Sequence, residues 1–300
     1  MRYRGKLSVL SALASGESVL IVVLGGGMSC VVSLGVLVAL VRANLHSRLR
    51  AGIGVSGGAC NLAAVFSNPE EIESVMEMYR HMACGGFLSI RWGPLGPHLW
   101  FDSEELMHAL EGRRSHLGLP ALDEKKIMLR PHPFWVAATD HTKGTCVFLN
   151  ARRRLFRSLR ATMAIPGVCE PVIVGGRKLS DGAVGMKIET AVRGARRVLV
   201  VMNRPPPENR VWWEQMFTPM VTRFALRSES SKLREAAAWM DTDFEEDLRR
   251  LEACTHVDTL VVHPTDPNLF PFCSFWPQLK TAYEDARDFT ERLIDEAHAV

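Results

Sequence analysis

From Val19 to Val41 the chain runs 23 residues without a charge, and glycines at 25, 26 and 27 break that run in its middle. Its length would suffice to span a bilayer, but three consecutive glycines, with Ser29 and Ser33 close behind, do not fit one continuous helix. The first half is β-branched at Val19, Ile21, Val22 and Val23, as a strand buried on both faces would be. The second half, from Ser29 to Leu45, predicts a helix apolar on nearly every side, which only a large core can bury. Strand, glycine loop and buried helix is the expected order. Residues 1–16 carry charges and are expected to be a short, mobile, basic lead-in rather than a signal peptide, since no cleavage site follows the apolar run.

A second unit of the same kind follows. Arg50 to Val55 predicts a strand and Gly57 to Phe66 a helix, and Gly54-Val55-Ser56-Gly57-Gly58 between them fits G-x-S-x-G. A serine lifted off a strand end onto a helix start sits in strained backbone, so the positions two residues away must be small. Glycine at 54 and 58 meets that need and lets strand and helix approach. The helix start behind Ser56 directs N–H groups and a positive dipole end toward any oxyanion formed there. Taken alone, the five residues also fit an ordinary strand–turn–helix.

Strands and helices alternate through the rest of the chain. Asn68-Pro69-Glu70-Glu71 has the pattern of a helix start, with Asn68 as cap, and the helix is expected to reach Met82. Residues 85–131, rich in Gly, Pro and Trp, read as a lid or wall, or as a plain surface excursion. Pro133–Thr139 and Thr145–Leu149 form a hairpin. A helix from Ala151 to Met163 carries five arginines, and a hairpin turning at Gly175-Gly176 delivers Ser180-Asp181-Gly182-Ala183. Arg197–Met202 and His256–His263 are strands; Val211–Leu226, Glu229–Glu252 and Gln278–His298 are helices. This alternation predicts an α/β fold with a mainly parallel central sheet and helices on both faces. No linker divides it, so 17–300 is expected to be a single domain.

Composition narrows the function. A net charge of +3 over 300 residues gives no electrostatic case for nucleic acid. Seven scattered cysteines without a C-x-x-C pair indicate neither a zinc site nor a disulfide framework, and a reducing cytoplasm fits best. There is no H-E-x-x-H and no acidic cluster with calcium-loop spacing, so no metal or cofactor is expected.

Three features converge on one kind of chemistry. Gly25-Gly26-Gly27 presents consecutive backbone N–H groups at a helix start, a ready anion site. Ser56 stands at a matching turn after the next strand, and Asp181-Gly182 arrives from a distant hairpin. In a parallel sheet the first two sit at neighbouring carboxyl ends, where such folds place their sites.

Over most of its length the chain resembles the patatin-like phospholipases. Gly54-Val-Ser-Gly-Gly58 and Asp181-Gly182-Ala183 match that family's serine and aspartate motifs. Pro133-Phe-Trp-Val-Ala-Ala-Thr-Asp140 and Ala161-Thr-Met-Ala-Ile-Pro-Gly167 are similar to the segments between them. The glycine motif departs from the pattern, with Ser29 and Cys30 where the family has Arg and Gly. The resemblance implies a patatin-like three-layer sandwich and a lipid acyl hydrolase of phospholipase or lysophospholipase type, acting through a Ser–Asp dyad without a cofactor. Ser56 would be the nucleophile, Asp181 its base, and the amides of Gly25, Gly26 and Gly27 the oxyanion site. The substrate would be a phospholipid or another fatty-acyl ester.

Two other readings stay open at this level. One is an α/β-hydrolase esterase whose triad joins Ser56 and an aspartate to His263, which follows the last strand. The other is a non-catalytic lipid- or anion-binding relative, to which the substitutions at 29 and 30 would point. The arginines at 152–160 and the tryptophans at 92, 100, 212 and 213 are candidates for peripheral contact with a membrane surface, against the plainer readings of a solvated helix face and core packing.

Overall fold

The computed structural model describes residues 1–86, 88–93, 96–101, 103–113, 121–206, 209–210, 226–227, 229–269, 273 and 275–299. Residues 211–225 of the helix expected over 211–226, with the tryptophans at 212 and 213, lie outside the described residues, and Leu226 is a buried turn residue.

The first sixteen residues are built into the fold, contrary to the expected mobile lead-in. β1 (Arg2–Gly5) pairs antiparallel with a strand near the other end of the sequence, Arg2 opposite His263, and α1 (Ser8–Ala14) buries Val9, Leu10 and Leu13. The long charge-free run divides as expected between β2 (Val19–Val23) and α2 (Val31–Arg42), with a 3-10 turn over Gly27–Cys30 between them. β3 (Leu49–Val55) then leads straight into α3 (Ser56–Ser67).

The next helix is less regular than its capping pattern suggests. Pro69–Ser74 is 3-10, and α4 (Val75–His81) follows it. Asn68 does not cap. Its amide donates to the Ala121 carbonyl at 3.1 Å and its carbonyl accepts from Lys126 Nζ at 2.8 Å, so it ties down a distant segment instead. β4 (Leu88–Gly93) and β5 (Gly96–Phe101), which contain Trp92 and Trp100, form a separate antiparallel pair. α5 (Ser103–Leu110) and α6 (Glu124–Leu129) follow.

The remaining elements are β6 (Phe134–Asp140), β7 (Thr145–Asn150), α7 (Leu155–Met163), β8 (Val172–Val174), β9 (Arg177–Asp181), α8 (Ile188–Ala191), β10 (Arg197–Val201), α9 (Ser231–Ala253), β11 (Asp258–His263) and α10 (Trp276–Ala299). Among the described residues the main sheet has nine strands in the order β1-β11-β10-β2-β3-β6-β9-β8, with β7 also on β6. It is mixed: β11, β10, β2, β3 and β6 are parallel, and antiparallel pairs complete both ends.

Side chains sort by strand periodicity into two cores. Ile21 and Val23 of β2, Leu199 and Val201 of β10, and Leu260 and Val262 of β11 point into the larger core, under α1, α2, α3 and α10. Their neighbours Val22, Val198, Val200 and Val261 point into the smaller one, under α8 and α9. Asp247 of α9 accepts the Ile188 N–H at 2.7 Å and fixes α8 on that face. The result is an α/β fold with helices on both sides of a mixed sheet.

One detail of pairing positions the site. β7 occupies one edge of β6 from Trp135 to Asp140. The opposite edge is therefore shared. β3 pairs with Phe134 to Ala137 and ends, and β9 takes over from Ala138 to Asp140. The last residue of β3, Val55, and the last of β9, Asp181, thus face successive residues of β6.

Candidate active site

Ser56 takes up the backbone that its glycine neighbours predict. It opens α3 with φ of 51°, and among the described residues only Asn44 shares a positive φ without being glycine. A non-glycine residue held there costs roughly 1–3 kcal/mol and needs surroundings that enforce it. Those surroundings are close. A Cβ on Gly54 would lie 2.4 Å from Ala59 Cα, and one on Gly58 would lie 2.2 Å from the Leu24 carbonyl oxygen. The Ser56 N–H donates to Thr162 Oγ1 at 2.8 Å. Thr162 belongs to the 161–167 segment already matched in sequence, but its hydrogen bond could not be read from spacing.

Asp181 is anchored from several sides. Its N–H donates to the Ala164 carbonyl at 2.9 Å, its carbonyl accepts from Thr139 Oγ1 at 2.6 Å, and its carboxylate accepts the Ala183 N–H at 2.9 Å. Only 6% of the residue is exposed. Burial pushes its pKa up to about 6, against the pull of the Ala183 N–H and of the neighbouring Ser56 hydroxyl. The structure therefore brings Ser56 and Asp181 together from segments more than a hundred residues apart.

The glycine loop lies against the same turn. A Cβ on Gly25 would come within 3.0 Å of Ser56 Cβ, and one on Gly57 would sit 3.4 Å from the Gly27 carbonyl oxygen. Asn203, just past β10, clamps the loop by donating to the Leu24 carbonyl and accepting the Ser33 N–H at 2.8 Å. Ser29, standing where the family pattern has Arg, turns inward and donates to the Gly26 carbonyl at 2.6 Å. Cys30 packs its sulfur on Gly57, 2.9 Å from where a Cβ would be. Burial raises the Cys30 thiol well above its ordinary pKa, and with it Cys60, which reaches about 12. Both are neutral thiols that fill space beside Ser56. Asn203 is a site residue that the sequence pattern missed, because nothing local marks it.

Gly25 of the loop, Val55 next to Ser56 and Ala183 two residues past Asp181 line an open cleft. His263 does not reach it. β10 and β2 stand between β11 and β3, which puts His263 about 14 Å away at ordinary strand spacing. Its Nδ1–H donates to the Pro264 carbonyl at 3.1 Å, and burial lowers its pKa. The triad reading through His263 is therefore corrected: a strand end is the wrong end when two strands intervene.

A second group of catalytic residue types lies nearby. His141 Nδ1 is 3.4 Å from Ser180 Oγ, and its Nε2 hydrogen-bonds the Glu229 carboxylate. The carboxylate makes Nε2–H the donor, while the Ser180 hydroxyl can donate to or accept from Nδ1. Ser180 is wholly buried, in regular strand. Among the described residues no group of three or more His, Cys, Asp or Glu has a geometry suited to a metal ion, and no helix is long and apolar enough to cross a membrane.

A family model described as patatin-like phospholipase matches residues 21–192, more than half of the chain. No curated protein sequence matches. Among solved structures the chain is similar to VipD from Legionella pneumophila at 13% identity, covering 92% of this chain and 67% of that one, with a TM-score of 0.45. It is also similar to the type III effector protein ExoU at 11% identity, covering 93% of this chain and 53% of that one, with a TM-score of 0.37.

Proposed function

The chain belongs to the patatin-like phospholipase family, and on that premise we propose that it is a serine carboxylic ester hydrolase acting on fatty-acyl esters through Ser56 and Asp181. One observation carries the reading: a strained, glycine-flanked Ser56 stands beside a buried carboxyl whose pKa is pushed up to about 6. A carboxylate is a weak base in water. Drying raises its basicity, and a pKa close to neutral suits proton transfer at physiological pH.

In the proposed reaction Asp181 takes the hydroxyl proton as Ser56 Oγ attacks the ester carbonyl. The tetrahedral oxyanion is held by the amides of Gly25, Gly26 and Gly27. Asp181 returns the proton to the leaving alkoxide as the carbon–oxygen bond breaks, which leaves an acyl-enzyme on Ser56. Water, deprotonated by the same carboxylate, then releases the fatty acid.

Substrates of this class are met at lipid surfaces, and we assign the chain peripheral contact with them. Exposed Met128, Leu129 and Ile173 stand among arginines. Arg152 Nε donates to the Met128 carbonyl at 3.3 Å and Arg157 Nε to the Ile173 carbonyl at 2.9 Å. That mixture of apolar and basic groups suits anionic head groups.

The test is hydrolysis of a water-soluble short-chain ester by wild type, Ser56→Ala and Asp181→Asn. Turnover that vanishes in both variants is expected. Turnover that survives in Ser56→Ala would move the chemistry to another residue, and a folded wild type with none would return the protein to the non-catalytic reading.

A further inference from the structure

The glycine loop is clamped at both ends, and the second clamp takes no part in the reaction proposed above. Asn203 grips the entry to the loop at the Leu24 carbonyl and reaches past it to the Ser33 N–H. The exit, at Cys30, is held by Asn61 of α3, five residues after Ser56 in the same helix. The Asn61 amide donates to the Cys30 carbonyl at 2.7 Å and to Ser33 Oγ at 3.0 Å, and Ser33 Oγ donates to that carbonyl at 2.9 Å. Tyr79 of α4 completes the chain, its hydroxyl donating to Asn61 Oδ1 at 3.1 Å.

The chain runs through the larger core, where Cys30 and Tyr79 pack. Ser33 and Asn61 are wholly buried and Tyr79 is nearly so. Burial holds the Tyr79 phenol well above its ordinary pKa, so it stays a neutral donor. Both amide hydrogens of Asn61, its carbonyl oxygen and the two hydroxyls all have partners. Such a network is costly in an apolar core unless it is complete, and once complete it has one geometry. The loop needs a rigid support of this kind. Its three glycines have no side chains to fix them, and Ser29 bonds back to Gly26 within the same turn. Donors that are to meet an oxyanion must be held in place before it forms.

Resting on the reading of Ser56 as nucleophile, we propose that Asn61 and Tyr79 are positioning residues for its oxyanion site. Tyr79 sets the Asn61 amide, and Asn61 holds the Cys30 carbonyl that closes the turn over Gly27–Cys30. The amides of Gly25, Gly26 and Gly27 are thereby kept at a fixed place beside Ser56. Neither residue touches substrate or carries a proton. Because α3 bears both Ser56 and Asn61, one helix fixes the nucleophile and the loop relative to each other.

The experiment follows hydrolysis of a water-soluble short-chain ester by wild type, Tyr79→Phe, Asn61→Leu and the double variant. Beside it, each protein is inhibited with an alkyl trifluoromethyl ketone, which adds to a serine to give a tetrahedral oxyanion. Tyr79→Phe should lower kcat about tenfold, leave KM within about twofold and weaken the ketone by the same factor as kcat. Asn61→Leu should lower kcat about a hundredfold, and adding Tyr79→Phe to it should change nothing more, since the hydroxyl acts through the amide. A merely structural role would reduce the amount of folded enzyme and leave the ketone's affinity where it was. An unchanged kcat in Tyr79→Phe, a loss that appears in KM instead, or losses that multiply in the double variant overturn the proposal. Where Asn61→Leu does not fold, Tyr79→Phe decides alone.

Amide hydrogen exchange separates this inference from the catalytic reading. The peptide covering 24–34 should exchange about tenfold faster in Tyr79→Phe than in wild type, with peptides from β6 unchanged. If a folded wild type turns over no ester and this acceleration is seen, the hydrolase reading fails and the clamp stands. If exchange over 24–34 is the same in both proteins, the clamp fails whatever the turnover.

Discussion

Two constellations in this molecule contain a serine, a carboxylate and the means to connect them, and they differ in everything except residue type. Ser180, His141 and Glu229 form the more complete chain by composition, with an imidazole between hydroxyl and carboxylate. Yet Ser180 is wholly buried in regular strand. Ser56 has only a carboxylate, but it sits at φ of 51° on a strand end, next to a glycine loop and to Val55, which lines a cleft. With Ser56 as the proposed nucleophile, the contrast teaches that a reactive serine is made by backbone and access. The right neighbours alone produce a structural hydrogen-bond chain, here one that ties the segment before α9 to β9.

Replacing the two serines should separate the constellations most sharply. Ser56→Ala and Asp181→Asn are each expected to lower kcat for a short-chain ester by about 10⁴-fold or more, on the scale seen when a catalytic unit loses a member. If Ser180→Ala did the same, the comparison would be inverted.

The strain at Ser56 can be tested apart from its chemistry. Gly58→Ala drives a methyl into the Leu24 carbonyl, 2.2 Å away, where backbone must give way. We expect about 3 kcal/mol or more of lost stability in urea unfolding, with activity lost alongside. Thr162→Val leaves the buried Ser56 N–H without its acceptor. That should cost about 1–3 kcal/mol and lower kcat more than it changes KM, with Thr162→Ser restoring both.

Asp181 gives a prediction of opposite sign. Its folded pKa, about 6, lies above the unfolded value near 3.9. Stability referred to this group is therefore fully present below pH 4 and is lost as pH rises through 6. Asp181→Asn removes the penalty, so the inactive variant should be about 1–3 kcal/mol more stable than wild type at pH 8, with the gain gone by pH 4. The equivalent gain is not expected at the second constellation. Ser180→Ala should cost about 1 kcal/mol for one neutral hydrogen bond and leave kcat/KM within twofold.

How much of this was legible in sequence follows the range of the interactions. The strand–loop–helix at Val19–Val41, the G-x-S-x-G turn and the hairpin into Asp181 were all readable, because local periodicity and small residues at fixed offsets mark them. β1 was missed because four residues hold too little pattern to distinguish an edge strand from a polar tail. Asn68 was misassigned as a cap because its partners, Ala121 and Lys126, lie more than fifty residues away. Thr162 and Asn203 reach the candidate site through folding alone. Nothing near them in the chain says which loop or cleft they will meet. The edge of β6 shared by β3 and β9, which brings Ser56 and Asp181 together, is a property of the assembled sheet.

The central claim is that Asp181 activates Ser56. Its most direct test is the rate at which a fluorophosphonate probe labels the protein between pH 4.5 and 8, in wild type and Asp181→Asn, with the labelled peptide identified. The account predicts labelling at Ser56 whose rate rises through about pH 6 and then levels, and none at that rate in Asp181→Asn. Labelling on another serine, or at Ser56 with a rate indifferent to both pH and Asp181, would contradict it.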